Sequence, residues 1–537
     1  MTDEIESPDD DHSHSTFSKV FDELDAVVDV VEQKGPTPDL CEELQTFARQ
    51  LSDVLAEHVE YEESDLFPRL ERHLSDEQTQ HLQAALAQHR TLESGVEELH
   101  AMIDELDSAS SAGVTSIRRQ LDHLRDLFDE HDRTEAAAFA AMGDEDADSL
   151  HANERPRLAG SGAPAFETAI IGAGVVGLSI AWRLLERGHE VLLIEREQAG
   201  AGASTAAAGM LAPTTEAQFG EEELYDFQRR SMELYPEFVD ALSTSSDTSV
   251  ELDRTATLFV ARDRDETEAL ERVLCHRQSL GAEASRLSPA EAREREPGLR
   301  SVHSAGLFPE DHLIDNRRLV DALATACRQS GGTLWERTPA DALWMEDSEV
   351  HGLELGNPIR PDRVAADRVV VAAGAWSGQF DQIPELTGST LRPVRGEALA
   401  LDLGDPPICE HVLRCPDVYL VPRPSSELVV GATSEERGFE RAVTGRGLRE
   451  PLDEAWKMLP AIDEQPFRRA WAGLRPVSLD GAPLLGRSSI EGLWLATGHG
   501  RHGIMMAPLT ADLMVRAIEG EGEPASEWEA VDPGRFP

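Results

Sequence analysis

The sequence predicts an α+β multidomain chain: an amino-terminal four-helix bundle, a connector, and a Rossmann-like α/β domain interrupted by a β-rich insertion. Three observations lead there. Apolar residues recur at helical spacing, without strand-like alternation, through residues 1–142. A small, acidic, breaker-rich stretch follows at 143–166, as expected of a flexible linker. From Thr168 a strand, the turn Gly172-x-Gly174-x-x-Gly177, a helix and a second strand ending at Glu195 succeed one another in register.

In the bundle, Phe17, Phe21, Leu24, Val28 and Val31 form the first stripe, and Leu44, Phe47, Leu51 and Leu55 the second. Leu82, Ala85, Leu86, Leu92, Val96 and Ile103 form the third, and Ile117, Leu121, Leu124 and Phe128 the fourth. Short connections between such helices give an up-down bundle. Each stripe carries a histidine: His14, His58, His89 and His131. His58 with Glu62, and His131 with Glu135, stand four residues apart. That spacing puts imidazole and carboxylate on one helix face, and burying both without a partner is costly. The six together are candidate ligands for a pair of metal ions.

In the α/β domain, Gly172 permits a tight turn, Gly174 lets backbone approach a pyrophosphate, and Gly177 lets the helix lie close to the sheet. The helix amino terminus then offers free N–H groups to phosphate, and Glu195, ~20 residues on, can accept from a ribose hydroxyl. Small residues fill 200–213, DRVVVAAGAWS (367–377) reads as a buried strand entering a glycine turn, and GLWLATGHGRHGI (492–504) leads through glycines into an apolar helix. A second helix amino terminus suits a cofactor longer than one nucleotide. The domain is therefore assembled from 167–253, 313–390 and 473–520, with 254–312 and 391–472 forming the substrate lobe and 521–537 an acidic tail.

Composition narrows the partners. A formal charge of −53, spread along the chain, argues against nucleic acid. Lysine is confined to Lys19, Lys34 and Lys457, and a dispersed acidic surface that self-repels in dilute buffer is screened in a salt-rich, halophilic cytoplasm. No leader and no membrane span is expected, so the reading is cytoplasmic. Five scattered cysteines without a CxxC pair suggest neither disulfides nor zinc.

Residues 1–142 resemble the haemerythrin-like (HHE) cation-binding domains, on His58-x-x-x-Glu62-Glu63 followed by Leu66-Phe67-Pro68, and on His131-x-x-x-Glu135. The resemblance implies a non-haem di-iron centre. Oxygen-carrying members place a second histidine four residues after the one on helix three, where this chain has Glu93; iron binding, redox sensing and peroxide handling stay open.

Residues from Glu167 to about Gly520 resemble the FAD-dependent D-amino-acid oxidase family, and among them the glycine oxidases of thiamine biosynthesis. The matching pieces are Ala206 to Leu211, Tyr419 to Arg423, Val430 to Thr433 and Trp471 to Pro476. The resemblance implies that Val175, Val176, Glu195, Arg196, Ala203, Ser204, Ala208, Gly209 and Met210 touch FAD. It puts Ala340 by the adenine, and His499, Gly500, Arg501, His502, Gly503, Ile504 and Met505 around the isoalloxazine. It further implies that Arg475 clamps a substrate carboxylate, assisted by Arg501 and the Tyr419 phenol. The expected activity is oxidative deamination of a small amino acid, with dioxygen as oxidant and peroxide released. Asp417 and Ser434 stand where a glycine oxidase has histidine and methionine, so glycine, sarcosine and small D-amino acids all remain candidates. No cysteine occurs in 475–478 and no histidine in 200–213, so the FAD is expected to be non-covalent. A dehydrogenase with another acceptor, an iron or oxygen sensor reporting flavin state, and a homo-oligomer are further readings.

Overall fold

The computed structural model describes residues 76–104, 106, 111–139 and 164–536, except 301, 347–348, 358–359, 387–389 and 521–528, together with scattered positions from 21 to 59. The chain divides into two compact units, Met1–Pro156 and Arg157–Pro537.

In the first unit, helices α1 (Asp76–Asp104) and α2 (Ser111–Phe139) form an antiparallel-connected pair. Leu92, Val96, Leu99 and Ile103 of α1 are buried, as are Ile117, Leu121, Leu124 and Phe128 of α2, at the three- and four-residue steps that make a helix face. Phe21, Leu24, Val28, Val31, Leu44, Leu51 and Leu55, all at helical positions, join the same core. Stripes read separately along the sequence thus meet in one place, each fully buried Leu or Val contributing about 1.5–3 kcal/mol. Gly95 permits the close approach, since a Cβ there would stand 2.6 Å from Leu124 Cδ2. Opposite it, Gln120 Nε2 donates to the Gly95 carbonyl at 2.9 Å. His100 lies 2.8 Å from Ser52 Oγ and 3.0 Å from the Ala48 carbonyl, tying α1 to the earlier segment.

The second unit opens with β1 (Ala165–Ile171), α3 (Val175–Glu186) and β2 (Val191–Ile194), as the glycine turn requires. Helix α4 (Glu222–Ser246) follows, and β3 (Arg363–Val371) returns to lie parallel to β1, with Ile171 opposite both Ile194 and Val371. Strand Thr333–Trp335 extends the sheet beyond β2, and β9 (Leu493–Thr497) extends it beyond β3, again parallel. Helix α5 (Gly503–Ile518) packs with α3 and α4 through Leu178, Trp182, Phe238, Leu242, Met506 and Leu513. The opposite face, with Ile171, Leu192 and Ile194, packs against Leu343, Leu353, Ile383 and Leu391, so both faces of the parallel sheet are covered, which explains strands such as β2 that are apolar at every position.

Between β3 and β9 the chain builds most of a second, eight-stranded sheet. Its members are β4 (Leu391–Asp402), β5 (Val412–Arg414), β6 (Tyr419–Pro422), β7 (Glu427–Gly431) and β8 (Phe467–Ser478), joined by strands at 257–261, 285–287 and 304–308. Strand β8 is unbroken and pairs antiparallel with β4 from Leu391 opposite Ser478 to Leu401 opposite Phe467, so Gly473, the boundary read from the sequence, lies inside a strand. Residues 529–536 of the acidic tail are docked: Val531 is buried and its carbonyl accepts from Leu485 N at 2.8 Å. Arg535 pairs with Asp480 at 2.8 Å. No helix among the described residues is long and apolar enough to cross a membrane.

Candidate active site

The glycines of the first turn are set by contact. Gly172 has φ +100°, and a Cβ there would lie 2.6 Å from the Ala372 carbonyl oxygen. A Cβ on Gly177 would collide with the Gly172 carbonyl oxygen, so only hydrogen lets α3 close on the strand. A Cβ on Gly174 would approach Ser204 Oγ at 3.2 Å, the hydroxyl that accepts from Val175 N at 2.9 Å. As first-turn residues of α3, Val176 and Gly177 have N–H groups with no intrahelical acceptor. The Glu195 carboxylate accepts from Ala173 N at 2.9 Å and Glu197 N at 3.0 Å. Burial raises its pKa above the ordinary carboxyl range. A carboxylate has about four acceptor positions, so the two bonds leave acceptor capacity beside the turn.

These residues form one end of a cleft of about 1110 Å³, and every predicted cofactor residue except Gly177 lines it. The small-residue loop is pinned from three directions. Asn316 Nδ2 donates to Ser204 O at 2.6 Å, Arg423 Nη2 to Ala207 O at 2.8 Å, and Trp471 Nε1 to Ala206 O at 2.9 Å. Above Glu195, Arg196 lies over the Trp376 ring at 3.6 Å, Phe439 stacks on that ring, and Arg441 pairs with Glu197 at 3.0 Å. A loop of the second sheet thus crosses the nucleotide end of the cleft.

At the far end, β8 brings Arg475 against β4 and β7. Its Nη1 donates to Thr433 O at 3.1 Å. The guanidinium occupies room left by Gly396, where a Cβ would lie 2.6 Å from Cζ. Tyr419 occupies room left by Gly431, where a Cβ would lie 2.8 Å from the phenol oxygen. Burial raises the phenol pKa of Tyr419 above 10, against the opposing pull of Arg475 and Arg414, so it stays a neutral donor at physiological pH. Backbone Gly500 N donates to Pro476 O at 2.7 Å, which sets the amino terminus of α5 beside Arg475. Tyr235 and Ser231 of α4 each donate to a carbonyl of that first turn, Ile504 and Met505, at 2.7 Å. Burial pushes His499 down to about 3 and His502 well below its usual range, so both imidazoles are neutral. Positive potential here comes from the helix end and the arginines.

Comparison with known proteins follows this geometry. Residues 167–517 match the FAD dependent oxidoreductase family, and residues 9–142 match the hemerythrin HHE cation binding domain. The chain belongs to the FAD-dependent oxidoreductases. The oxidoreductase is 31% identical to a glycine oxidase of Geobacillus kaustophilus, over 66% of this chain and 93% of that protein. To a glycine oxidase of Bacillus subtilis it is 32% identical, over 68% and 95%. The crystal structure of the Geobacillus kaustophilus enzyme superposes with a TM-score of 0.64 at 29% identity, covering 70% of this chain and 99% of that one.

The sequence reading of the oxidoreductase missed three residues at the substrate end. Arg414 lines the cleft, directly opposite Tyr419 across β5 and β6. Glu216 bonds to both Arg414 and Arg501, so Arg501 faces a carboxylate of its own chain instead of standing as an open second clamp. Gly396 clears space for Arg475. Only the last had a signal, a glycine inside an apolar strand, which marks close approach of another group. We expect Gly396→Ala to keep its flavin yet lose about 100-fold in kcat/KM, as misplacement of a positioning group by about an ångström does; stopped-flow flavin reduction checks it.

Of the six candidate metal ligands, His89 and His131 are described with their side chains. Both are fully buried, with ring centroids 4.8 Å apart. His14, His58 and Glu62 lie outside the described residues, as does the side chain of Glu135. Among the described residues no group of three or more metal-binding side chains converges.

Proposed function

We propose that the chain oxidises a small amino acid, glycine, sarcosine or a small D-amino acid, at a non-covalent FAD, with dioxygen as acceptor. The observation that carries the reading is a glycine-cleared guanidinium, Arg475, beside a neutral phenol, Tyr419, at the far end of the cleft that begins at the Gly172 turn. When bound, FAD supplies a hydride acceptor. The chain's residues do the rest. The first turn of α3, the 203–210 loop, Glu195, Arg196 and Ala340, which line the cleft, would hold the nucleotide part of FAD. The α5 amino terminus stabilises negative charge at the ring end. Arg475 takes the substrate carboxylate with two charge-assisted bonds and Tyr419 donates a third, which fixes the α-carbon in place. The neutral His499 and His502 add no competing charge.

The amino-terminal unit is proposed as a four-helix bundle holding two irons through His14, His58, Glu62, His89, His131 and Glu135, and the paired burial of His89 and His131 supports it. A role in supplying thiazole precursors for thiamine is proposed on the resemblance to the glycine oxidases of that pathway alone. The test is an anaerobic panel of amino acids on the full chain in high salt, following flavin bleaching, with glycine and sarcosine first. Bleaching by a small amino acid and one peroxide per turnover in air are expected; a flavin that no amine bleaches overturns the reading.

A further inference from the structure

Arg475, Arg414 and Arg501 are among the guanidiniums that line the cleft. Arg475 is the carboxylate clamp of the reading above, on which this inference rests. The other two are held by a single carboxylate. Arg501 Nε donates to Glu216 Oε2 at 2.5 Å and its Nη2 to the Glu216 carbonyl at 2.8 Å. Arg414 Nη1 pairs with the other oxygen, Oε1. Glu216 is itself largely buried, its side chain 10% exposed, at the end of the turn Pro213–Glu216 that follows the cofactor loop. Further negative charge near this pair is the Glu221 carboxylate, 3.9 Å from Arg501 Nη2. Burial and the neighbouring Arg501 push Arg414 down to about 10.

We infer that Glu216 is a specificity-determining residue, an internal carboxylate that occupies the place a second substrate carboxylate would take and restricts the site to amines bearing one. The physical reasoning is one of exclusion. Arg414, opposite Tyr419, and Arg501, joined to Arg414 through Glu216, would form a ready fork for a dianion, but a fixed anion between them removes their attraction and repels a like charge. Arg414 sits opposite Tyr419 on the adjoining strand, so a substrate held by Arg475 and Tyr419 would direct its distal group toward this pair. The distal group is then neutral or absent, as in glycine and sarcosine. A diacid such as N-(carboxymethyl)glycine meets Glu216.

The test compares wild type with Glu216→Gln in two readouts. Perturbation of the flavin spectrum by acetate and by malonate gives relative affinity for one and two carboxylates without turnover. Steady-state kcat/KM for sarcosine and N-(carboxymethyl)glycine gives the same ratio in catalysis. The substitution is expected to raise the dianion-to-monoanion ratio by about tenfold or more in both, the loss of one close like charge and the gain of two open cations acting together. A merely structural role lowers both ligands in parallel, and an unchanged ratio overturns the inference. Should Glu216→Gln fail to load flavin, the double variant Arg414→Met/Glu216→Gln removes one cation with its partner and must shift the ratio the same way. If wild type bleaches with glycine or sarcosine and the ratio stays fixed, the Glu216 assignment alone fails. If no amine bleaches it, the amine-oxidation reading fails, and the acetate and malonate titrations still decide the role of Glu216.

Discussion

Replacing Arg475 with leucine is expected to leave the chain folded and yellow and to cost about 10²–10⁴-fold in kcat/KM. The range follows from two charge-assisted bonds worth about 1.5–3 kcal/mol each, at about 1.4 kcal/mol per decade of rate. The side chain donates to one backbone carbonyl and touches Tyr419, and none of its bonds among the described residues reaches the turn at Gly172. Flavin content measured on the purified protein should therefore equal that of wild type, while acetate no longer perturbs the flavin spectrum. Lysine at 475 keeps the charge and loses the planar fork, so it should recover only part of the activity. Turnover by Arg475→Leu within a few-fold of wild type would remove the clamp from the proposal.

Gly177→Ala is expected to do the opposite and yield a chain without flavin. Its Cβ would run into the Gly172 carbonyl, backbone against backbone, so relief requires moving α3 away from β1 and opening the phosphate turn. Overpacking of this sort costs about 1–3 kcal/mol, and the displaced N–H groups cost the cofactor its anchor as well. Visible absorbance per protein after supplementation with FAD, together with the thermal midpoint, measures both losses. A fully yellow Gly177→Ala protein would separate the turn from cofactor binding. The pair of variants divides the cleft into an end that retains cofactor and an end that retains substrate.

The cofactor end was legible in the sequence because its constraints are local. Gly172, Gly174 and Gly177 act within one strand-turn-helix unit, and Glu195 closes it one strand later, so spacing alone carries the geometry. The substrate end was legible only through resemblance. Arg414 and Tyr419 become neighbours by strand pairing, and Glu216 reaches them from a turn nearly 200 residues earlier in the chain, a proximity that no periodicity records. At Gly473 β8 continues its ladder with β4, and the glycine read as a boundary is a packing site against Ala206. The docking of 529–536 left no periodic signal because its anchors, Val531, Pro533, Arg535 and Phe536, are scattered among acidic and turn-forming neighbours. In the amino-terminal unit the stripe residues that the structure describes, such as Leu92, Val96, Leu121 and Leu124, are buried together, since a helix buries what its period places on one face.

The loop carrying Phe439 and Arg441 has one more consequence, for protein engineers. It originates in the sheet that selects the amine, yet it grips Trp376 and Glu197 on the nucleotide side, so the two properties are not modular. A chimera that grafted a relative's amine-selecting portion onto this chain would exchange the cofactor's outer latch along with the pocket. Altered preference would then arrive with faster flavin escape unless residues 436–443 were left native.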